Sequence, residues 1–189
     1  MEQKSVSPFA KQISKSRLEF LFDGVFAIAM TILVLELKVP ELADHHSAHE
    51  LGSALLLNWR IFLSYIISFF ILSGFWIGHN ALYAKLTRIT KTVVAIHIWM
   101  LAWAAFVPFC AHLIGRYPGN QLALLIYWAM AFSYTLGLLA LIITAERQNL
   151  FEPTIPAGDV RKLRRGFIRP LIGMLLFALY IIFILPVMK

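Results

Sequence analysis

Five long runs of apolar residues, separated by short polar segments, follow one another along the 189-residue chain. Each run approaches the roughly 20 residues that a helix needs to cross the hydrocarbon core of a bilayer. The pattern predicts an all-α, polytopic bundle of membrane-spanning helices that covers residues 1–189 as a single unit. The five helices are expected at residues 20–39, 59–82, 92–114, 122–145 and 167–188.

Charged residues stand immediately before the first apolar run and set it apart from the others. Arg17, Glu19 and Asp23 precede residues 24–35, where no side chain is charged and Thr31 is the only polar one. A carboxylate at the end of a membrane helix is costly to bury, so such a group usually has a partner or belongs to an ion pathway. Asp23 is therefore a candidate functional residue.

The spacing within this run places its branched apolar residues on one helix face. Ile28, Ile32 and Leu35 lie at i, i+4 and i+7, which is the period of a helix. A neighbouring stripe of small side chains, which includes Ala27 and Thr31, permits close approach by another helix. An apolar stripe is by default a packing or lipid-facing surface, so the spacing alone does not assign a function.

The composition agrees with a membrane location and argues against other classes. Hydrophobic residues make up 60% of the chain, above the roughly 45–50% of soluble domains, and the mean hydropathy is +0.75. The single cysteine, Cys110, excludes a disulfide framework. The sequence has no glycine-rich phosphate loop, nucleophile elbow or His-Glu-x-x-His motif, so it does not indicate an enzyme.

Basic residues predict the orientation in the membrane. Four precede the first run, three follow the second run, five lie between the fourth and fifth runs and Arg169 lies at the start of the fifth, which makes 13 of 17 on one side. Because basic loops stay in the cytoplasm, we expect a cytoplasmic N-terminus. The pI of about 9.8 then reflects topology and does not indicate nucleic-acid binding. Five helices would place the C-terminus outside, and six would place it inside.

The charged start of the first helix also resembles a known family signature. Arg17, Asp23 and the segment Gly-Val-Phe-Ala-Ile-Ala at 24–29 match the pattern Arg-x-x-x-Phe-Ser-Asp, followed by Gly-Val-Phe-Ala-Ile-Ala, of the transmembrane protein 175 family of potassium channels. Leu21 and Phe22 stand where the pattern has Phe and Ser. The chain is similar to the bacterial form of this family, which carries a single repeat.

The resemblance implies a potassium-selective cation channel in the bacterial inner (plasma) membrane, which favours potassium over sodium. In this family four subunits of six helices form a homotetramer, and their first helices line a shared pore. The positions that match Ile28, Ile32 and Leu35 form stacked apolar constrictions, and the one that matches Thr31 adds a ring of hydroxyls. Flux through this hydrophobic gate is passive. The expected partners are potassium ions, other copies of the chain and the lipid bilayer, with no cofactor, metal site or nucleic acid.

A second group of residues is expected to hold the first helix at the correct rotation. Arg17 and Asp23 are six residues apart and do not share a helix face, so Asp23 is expected to meet groups from other helices. The segments 75–79 and 106–109 resemble the family's Trp-x-x-His and Pro-Phe patterns. Buried polar groups in lipid demand partners, which favours a structural network over an ion ligand. Its expected members are Arg17, Asp23, Trp76, His79 and His97, with Trp103 as a further candidate.

Two other functions remain open from the sequence. A proton-coupled secondary carrier, or a proton-permeable channel, would use Asp23 with His79 or His97 as a protonation relay. A non-conducting scaffold would use the first-helix stripe only as a seam between subunits. Changing Ile28 to Asn separates these hypotheses, because only a pore would be widened or wetted by it.

Two outward-facing features have alternative interpretations. Glu36 is predicted either to form an acidic ring that concentrates cations at the pore mouth or to pair with Lys38 or Arg60. His45 and His49 have the i, i+4 spacing of metal ligands on a helix. No cysteine supports such a site, so the histidines of this loop, including His46, are expected to be incidental surface residues.

Overall fold

The computed structural model describes the chain from residue 14 to residue 184, with side chains to residue 183. Outside this range lie Lys4, Lys11, Lys189 and the end of the fifth predicted helix. Seven α-helices and one π-helical turn form the described part. They are α1 (Lys15–Leu35), α2 (Ala48–Leu57), α3 (Trp59–Tyr83), α4 (Lys91–Ala105), α5 (Val107–Arg116), α6 (Gln121–Arg147), α7 (Ala157–Leu179) and the π-helical turn Tyr180–Ile184.

Within residues 14–184, five stretches are long and apolar enough to cross a membrane, which confirms the predicted all-α polytopic bundle. Helices α4 and α5 together form one of these spans, and the π-helical turn extends another. The spans are Lys15–Leu35, Trp59–Tyr83, Lys91–Arg116, Gln121–Arg147 and Ala157–Phe183. Helix α2, with 10 residues, is shorter than the roughly 20 that a span requires.

The third span is interrupted at Phe106 because a proline follows. Pro108 has no backbone N–H, so it cannot donate the hydrogen bond that would continue the helix. The N–H of Phe106 bonds instead to the Trp103 carbonyl at 3.2 Å, and α5 resumes with the N–H of Cys110 on the Phe106 carbonyl at 3.2 Å. The span therefore consists of two helical segments in series.

The fifth span begins earlier than the hydropathy pattern predicts. Helix α7 starts at Ala157 rather than at residue 167, so the basic residues from Arg161 to Arg169 are helical. A hydropathy boundary falls where charges begin, but long arginine side chains reach the headgroups while their backbone stays helical. The apolar run therefore marked only the part of this helix that lies in hydrocarbon.

One face of α1 is packed in the subunit and the other face is not. The helix packs against α3, α4 and α5, through side chains that recur every three or four residues. These side chains are Leu18, Phe22, Phe26, Ala29 and Leu33. On the opposite face, Ile28, Ile32 and Leu35 are exposed within the described part of the chain. Within the described residues, helix α7 packs mainly on α6, so it lies at the periphery.

Two glycines let helices approach closely, as small residues do in membranes. A Cβ atom placed on Gly115 of α5 would lie 3.2 Å from the Cα atom of Ile61 on α3 and would overlap the Ser64 hydroxyl. A Cβ atom on Gly137 of α6 would lie 2.5 Å from Cγ of Met100 on α4. Both contacts bring the supporting helices together behind α1.

Contacts between loops show which ends of the helices share a side. The Tyr83 hydroxyl donates to the Lys15 carbonyl at 2.9 Å, and Lys15 Nζ donates to the Leu86 carbonyl at 2.6 Å. The N–H of Thr87 donates to the Leu150 carbonyl at 2.8 Å. The start of α1, the α3–α4 loop and the α6–α7 loop therefore lie together, and with them the described members of the three basic clusters. We call this the basic side of the molecule.

Candidate ion pathway and its supporting network

The residues predicted to line a pore lie on the unpacked face of α1. Ile28 is 60% exposed, Ile32 is 40% exposed and Leu35 is 73% exposed, and Thr31 is exposed beside them. In a chain that spans a membrane, such a face meets lipid, another subunit or water. The structure thus brings the four predicted residues together on one continuous surface, which we call the α1 stripe.

The length of the α1 stripe suits a short constriction. With a rise of 1.5 Å per residue, Ile28 and Leu35 are about 10.5 Å apart along the helix axis, about a third of a roughly 30 Å hydrocarbon core. If copies of α1 faced one another, Ile28, Ile32 and Leu35 would form three apolar layers. Successive layers would be about 6 Å and about 4.5 Å apart.

The Thr31 hydroxyl is oriented by the backbone of its own helix. Its O–H donates to the Ala27 carbonyl at 3.0 Å and to the Ile28 carbonyl at 2.9 Å. Because the proton is directed into the helix, the oxygen lone pairs are available on the exposed side. At this position the side chain can accept a hydrogen bond from water or contact a cation.

Asp23 is tied to α3 by a tryptophan, one of the partners predicted for it. Trp76 Nε1 donates to Asp23 Oδ1 at 2.8 Å. This is the only side-chain hydrogen bond of the carboxylate among residues 14–184. The bond joins α1 to α3 in the half of α1 that is nearer the basic side.

His79 and His97 form a separate, fully buried pair between α3 and α4. Their Nε2 atoms are 2.7 Å apart, and His97 Nδ1 lies 2.7 Å from the Val93 carbonyl. A carbonyl only accepts, so His97 Nδ1 carries a proton, and in the neutral pair His97 Nε2 accepts from His79 Nε2–H. The His79 ring stacks on Phe22 of α1 with centroids 3.4 Å apart. The pair thus supports α1 from behind.

Arg17 does not join either pair within the subunit. Its side chain is exposed and has no hydrogen bond or ion pair among residues 14–184, and only its backbone N–H is bonded, to Ser14 Oγ at 3.3 Å. Trp103 packs against Trp99 and Phe106, with ring centroids 5.7 and 6.2 Å away, rather than against Asp23. Four of the five residues predicted to form the network therefore lie in two separate pairs, and Arg17 is apart from both.

Sequence reasoning missed His112 as the partner of Glu36. Glu36 Oε2 lies 2.8 Å from His112 Nδ1 on α5, so the carboxylate does not pair with Lys38 or Arg60. A cavity of about 350 Å³ adjoins this pair on the side opposite to the basic side, and Arg116 also lines it. The sequence signal for this partner is the position of His112 inside an apolar run, because an ionisable residue in such a run usually has a partner.

The loop histidines do not converge on a site. His45, His46 and His49 are exposed, and α2 begins only at Ala48, so His45 and His49 do not share a helix. Within the described part of the chain, no three His, Cys, Asp or Glu side chains are placed to hold a metal ion.

The chain is similar to known ion channels. A family model described as endosomal/lysosomal potassium channel TMEM175 matches residues 17–108. A protein from Streptomyces collinus named potassium channel is 29% identical over 158 residues, which is 80% of this chain and 74% of that protein. Another from Chamaesiphon minutus is 33% identical over 62% of this chain and 59% of its own length. A human protein named endosomal/lysosomal proton channel TMEM175 is 26% identical over 71% of this chain and 29% of its own length.

The fold is also similar to a solved structure. The crystal structure of a lysosomal potassium-selective channel TMEM175 homolog from Chamaesiphon minutus matches with a TM-score of 0.77. The match covers 92% of this chain and 89% of that chain, at 24% sequence identity. The arrangement of helices described above is therefore one that a channel protein adopts.

Proposed function

We propose that the chain is one subunit of a homotetrameric cation channel of the TMEM175 type that favours potassium over sodium, since a TMEM175 family model matches residues 17–108 and a protein named potassium channel is 29% identical over 158 residues. The observation that carries this proposal is the α1 stripe, which is exposed although α1 is packed on its other face. The family match from residue 17 to residue 108 includes this stripe. We propose that four copies of it surround a shared water path.

An apolar constriction explains both gating and selectivity in this proposal. Rings of Ile28, Ile32 and Leu35 present no carbonyls that could replace hydration water, and narrow apolar rings gate by dewetting. Potassium is larger than sodium and sheds water at lower cost, so it crosses such a region more readily. The flux is passive and requires no catalytic residue or cofactor.

Thr31 would moderate the cost of crossing the constriction. Its O–H donates to the helix backbone, so four such oxygens would face the pore axis as acceptors. They lie between the Ile28 and Ile32 layers in sequence, where a partly dehydrated cation would lack water ligands. Hydroxyl oxygens stabilise a cation less than a cage of carbonyls does, which fits a moderate preference for potassium.

The Trp76–Asp23 pair and the His79–His97 pair would hold the α1 stripe toward the axis. The bond from Trp76 to Asp23 and the stack of His79 on Phe22 hold two consecutive residues of α1, in the half of the helix nearer the basic side. A rotation of α1 would break both contacts. Arg17 is exposed at the start of the same helix, where it would be available to a neighbouring subunit.

The basic side of the molecule would face the cytoplasm. It carries the described residues of all three basic clusters, and loops rich in Lys and Arg are retained there. We therefore propose a multi-pass protein of the bacterial inner membrane with a cytoplasmic N-terminus. With five spans in the described part, Phe183 would lie near the opposite surface.

Proton permeation is a second candidate, since the animal relatives are named proton channels. The buried histidine pair is the feature of this chain that would serve it. However, Phe22 lies against His79 on the packed face of α1, so the pair has no contact with the α1 stripe. This placement favours a supporting role for the histidines.

Ion flux in proteoliposomes tests the proposal. Wild-type protein should carry potassium down its gradient, and replacing potassium with sodium should reduce the flux. The change Ile28→Asn puts an amide into the constriction, so it should wet the pore and bring the potassium-to-sodium ratio toward one. The same change at Ile172, which is 53% exposed on the peripheral helix α7, is the matched control and should leave the ratio unchanged.

Three results would contradict the proposal. The first is no flux from folded oligomers, which would indicate the scaffold. The second is flux that strictly requires a proton gradient, which would indicate the carrier. The third is an equal effect of Ile28→Asn and Ile172→Asn, which would show that the ratio responds to any lipid-facing amide.

A further inference from the structure

The N-terminal part of helix α7 carries five basic residues, from residue 161 to residue 169. Two of them form ion pairs within the subunit. Arg164 Nη1 lies 2.7 Å from Glu146 Oε2 on α6, and Lys162 Nζ lies 3.3 Å from Asp159 Oδ1. The other three are exposed and have no ion pair or hydrogen bond from their side chains among residues 14–184. They are Arg161, Arg165 and Arg169.

These three arginines share one face of the helix. Their spacing is i, i+4 and i+8, which places them in a row about 12 Å long. The same face continues toward the membrane centre with exposed apolar side chains. Ile172 and Leu176, which follow Arg165 and Arg169 by seven residues, are 53% and 62% exposed. The face is therefore basic at one end and apolar along the rest, and we call it the α7 face.

The position of α7 in the bundle leaves the α7 face to the surrounding lipid. Among residues 14–184, α7 packs mainly on α6, and it is not among the helices that pack against α1. The arginines lie on the basic side, beside the loops that join α3 to α4 and α6 to α7. In a bilayer, this level is that of the headgroups of one leaflet.

We propose that the α7 face binds an anionic phospholipid. The guanidinium groups of Arg161, Arg165 and Arg169 contact the phosphate, since arginine binds phosphate oxygens through paired N–H donors. An acyl chain lies along Ile172 and Leu176. Clusters of basic residues just outside a membrane helix attract anionic lipids, and each added charge strengthens the attraction. This site depends on the membrane placement of α7 and not on ion conduction, so it stands apart from the proposed channel activity.

A matched set of charges distinguishes this site from general attraction to a basic surface. Lys85, Arg88 and Lys91 are also exposed and lie on the basic side. They fall in the α3–α4 loop and at the first residue of α4, so they do not form a row on one helix face. Removing them lowers the positive charge by the same amount without touching the α7 face.

Lipid binding to purified protein in an uncharged detergent tests the proposal. Phosphatidylglycerol and phosphatidylcholine with identical acyl chains are titrated, and bound lipids are counted by native mass spectrometry. The wild type should prefer phosphatidylglycerol by about tenfold or more. The triple variant R161Q/R165Q/R169Q should lose this preference, and the control K85Q/R88Q/K91Q should retain it.

Equal losses in the two triple variants, or a preference retained by the α7 variant, would overturn the proposal. Both variants are first compared with the wild type by thermal unfolding. If the α7 triple variant does not fold, the single changes Arg165→Gln and Arg88→Gln replace the pair. Arg165→Gln should then weaken phosphatidylglycerol binding about fivefold, the equivalent of one juxtamembrane charge, and Arg88→Gln should not.

Discussion

Replacing His79 with Phe and His97 with Leu, singly and together, isolates the bond between α3 and α4. The two Nε2 atoms are 2.7 Å apart, and both side chains are fully buried. Each single change leaves one ring nitrogen without its partner in an apolar environment. The double change removes both polar groups, so it should be less destabilising than the sum of the single changes.

The magnitude follows from burial and geometry. Hydrogen bonds between membrane helices contribute roughly 0.6 kcal/mol on average and about 1.7 kcal/mol at most. A buried polar group left unpaired costs about 1–3 kcal/mol. Because the pair is short and inaccessible to water, we expect a coupling free energy of about 1–2 kcal/mol. The ring of His79 stacks on Phe22 with centroids 3.4 Å apart, and a phenylalanine at position 79 keeps an aromatic ring in this stack.

The assay is reversible unfolding in mixed detergent micelles, which gives the free energy of unfolding of all four proteins in the cycle. Coupling near 1–2 kcal/mol would support the pair as a link between helices. Additive effects, with coupling below about 0.3 kcal/mol, would refute the reasoning and show that the two histidines act independently. Potassium-to-sodium flux ratios of the same variants then show whether this link also positions α1.

Three further changes probe other parts of the structure. Trp76→Phe removes the donor to Asp23 Oδ1 and should lower the potassium-to-sodium flux ratio. Because the bond is partly exposed, the loss in free energy of unfolding should be less than about 1 kcal/mol. An unchanged flux ratio would show that the bond does not orient α1. Gly115→Ala should lower the free energy of unfolding by about 1–3 kcal/mol, because the added Cβ would meet the backbone of Ile61. Gly166→Ala on α7 is its control: the added Cβ there has open space and should raise the free energy of unfolding by up to about 1 kcal/mol. Equal free energies of unfolding for the two variants would contradict this. Thr31→Val removes the exposed oxygen and should reduce potassium flux into proteoliposomes. Subunit assembly, measured by size-exclusion chromatography, should not change. Potassium flux equal to that of the wild type would show that the hydroxyl does not assist the ion.

The number of spans and the exposed face of α1 were predictable because each depends on local sequence. Hydropathy over about 20 residues defines a span, and the spacing of Ile28, Ile32 and Leu35 defines a face within a single helix. The hydrogen-bond partner of Asp23 was predictable from the sequence for a different reason. Trp76 belongs to a short pattern that resembles the family's second helix, and a carboxylate within a membrane helix requires a donor.

Other features depend on how helices meet and were not predictable from the pattern. Which of several candidates pairs with His79 follows from the crossing of α3 and α4, which hydropathy does not encode. The same holds for Glu36, which meets His112 on α5 instead of a nearby cation in the sequence. The start of α7 was misplaced because charge density and helix boundary do not coincide where arginines extend toward headgroups.

Chemical modification at Leu35 tests the central claim, that the α1 stripe lines the ion path. Leu35 is 73% exposed, while the native Cys110 is buried and should not react. The variant Leu35→Cys is reconstituted, and potassium flux is measured before and after addition of a small, positively charged thiol reagent. The account predicts that the reagent blocks flux in Leu35→Cys but not in wild type or in Ile172→Cys on α7. Unimpaired flux through fully labelled Leu35→Cys, or equal block in Ile172→Cys, would contradict it.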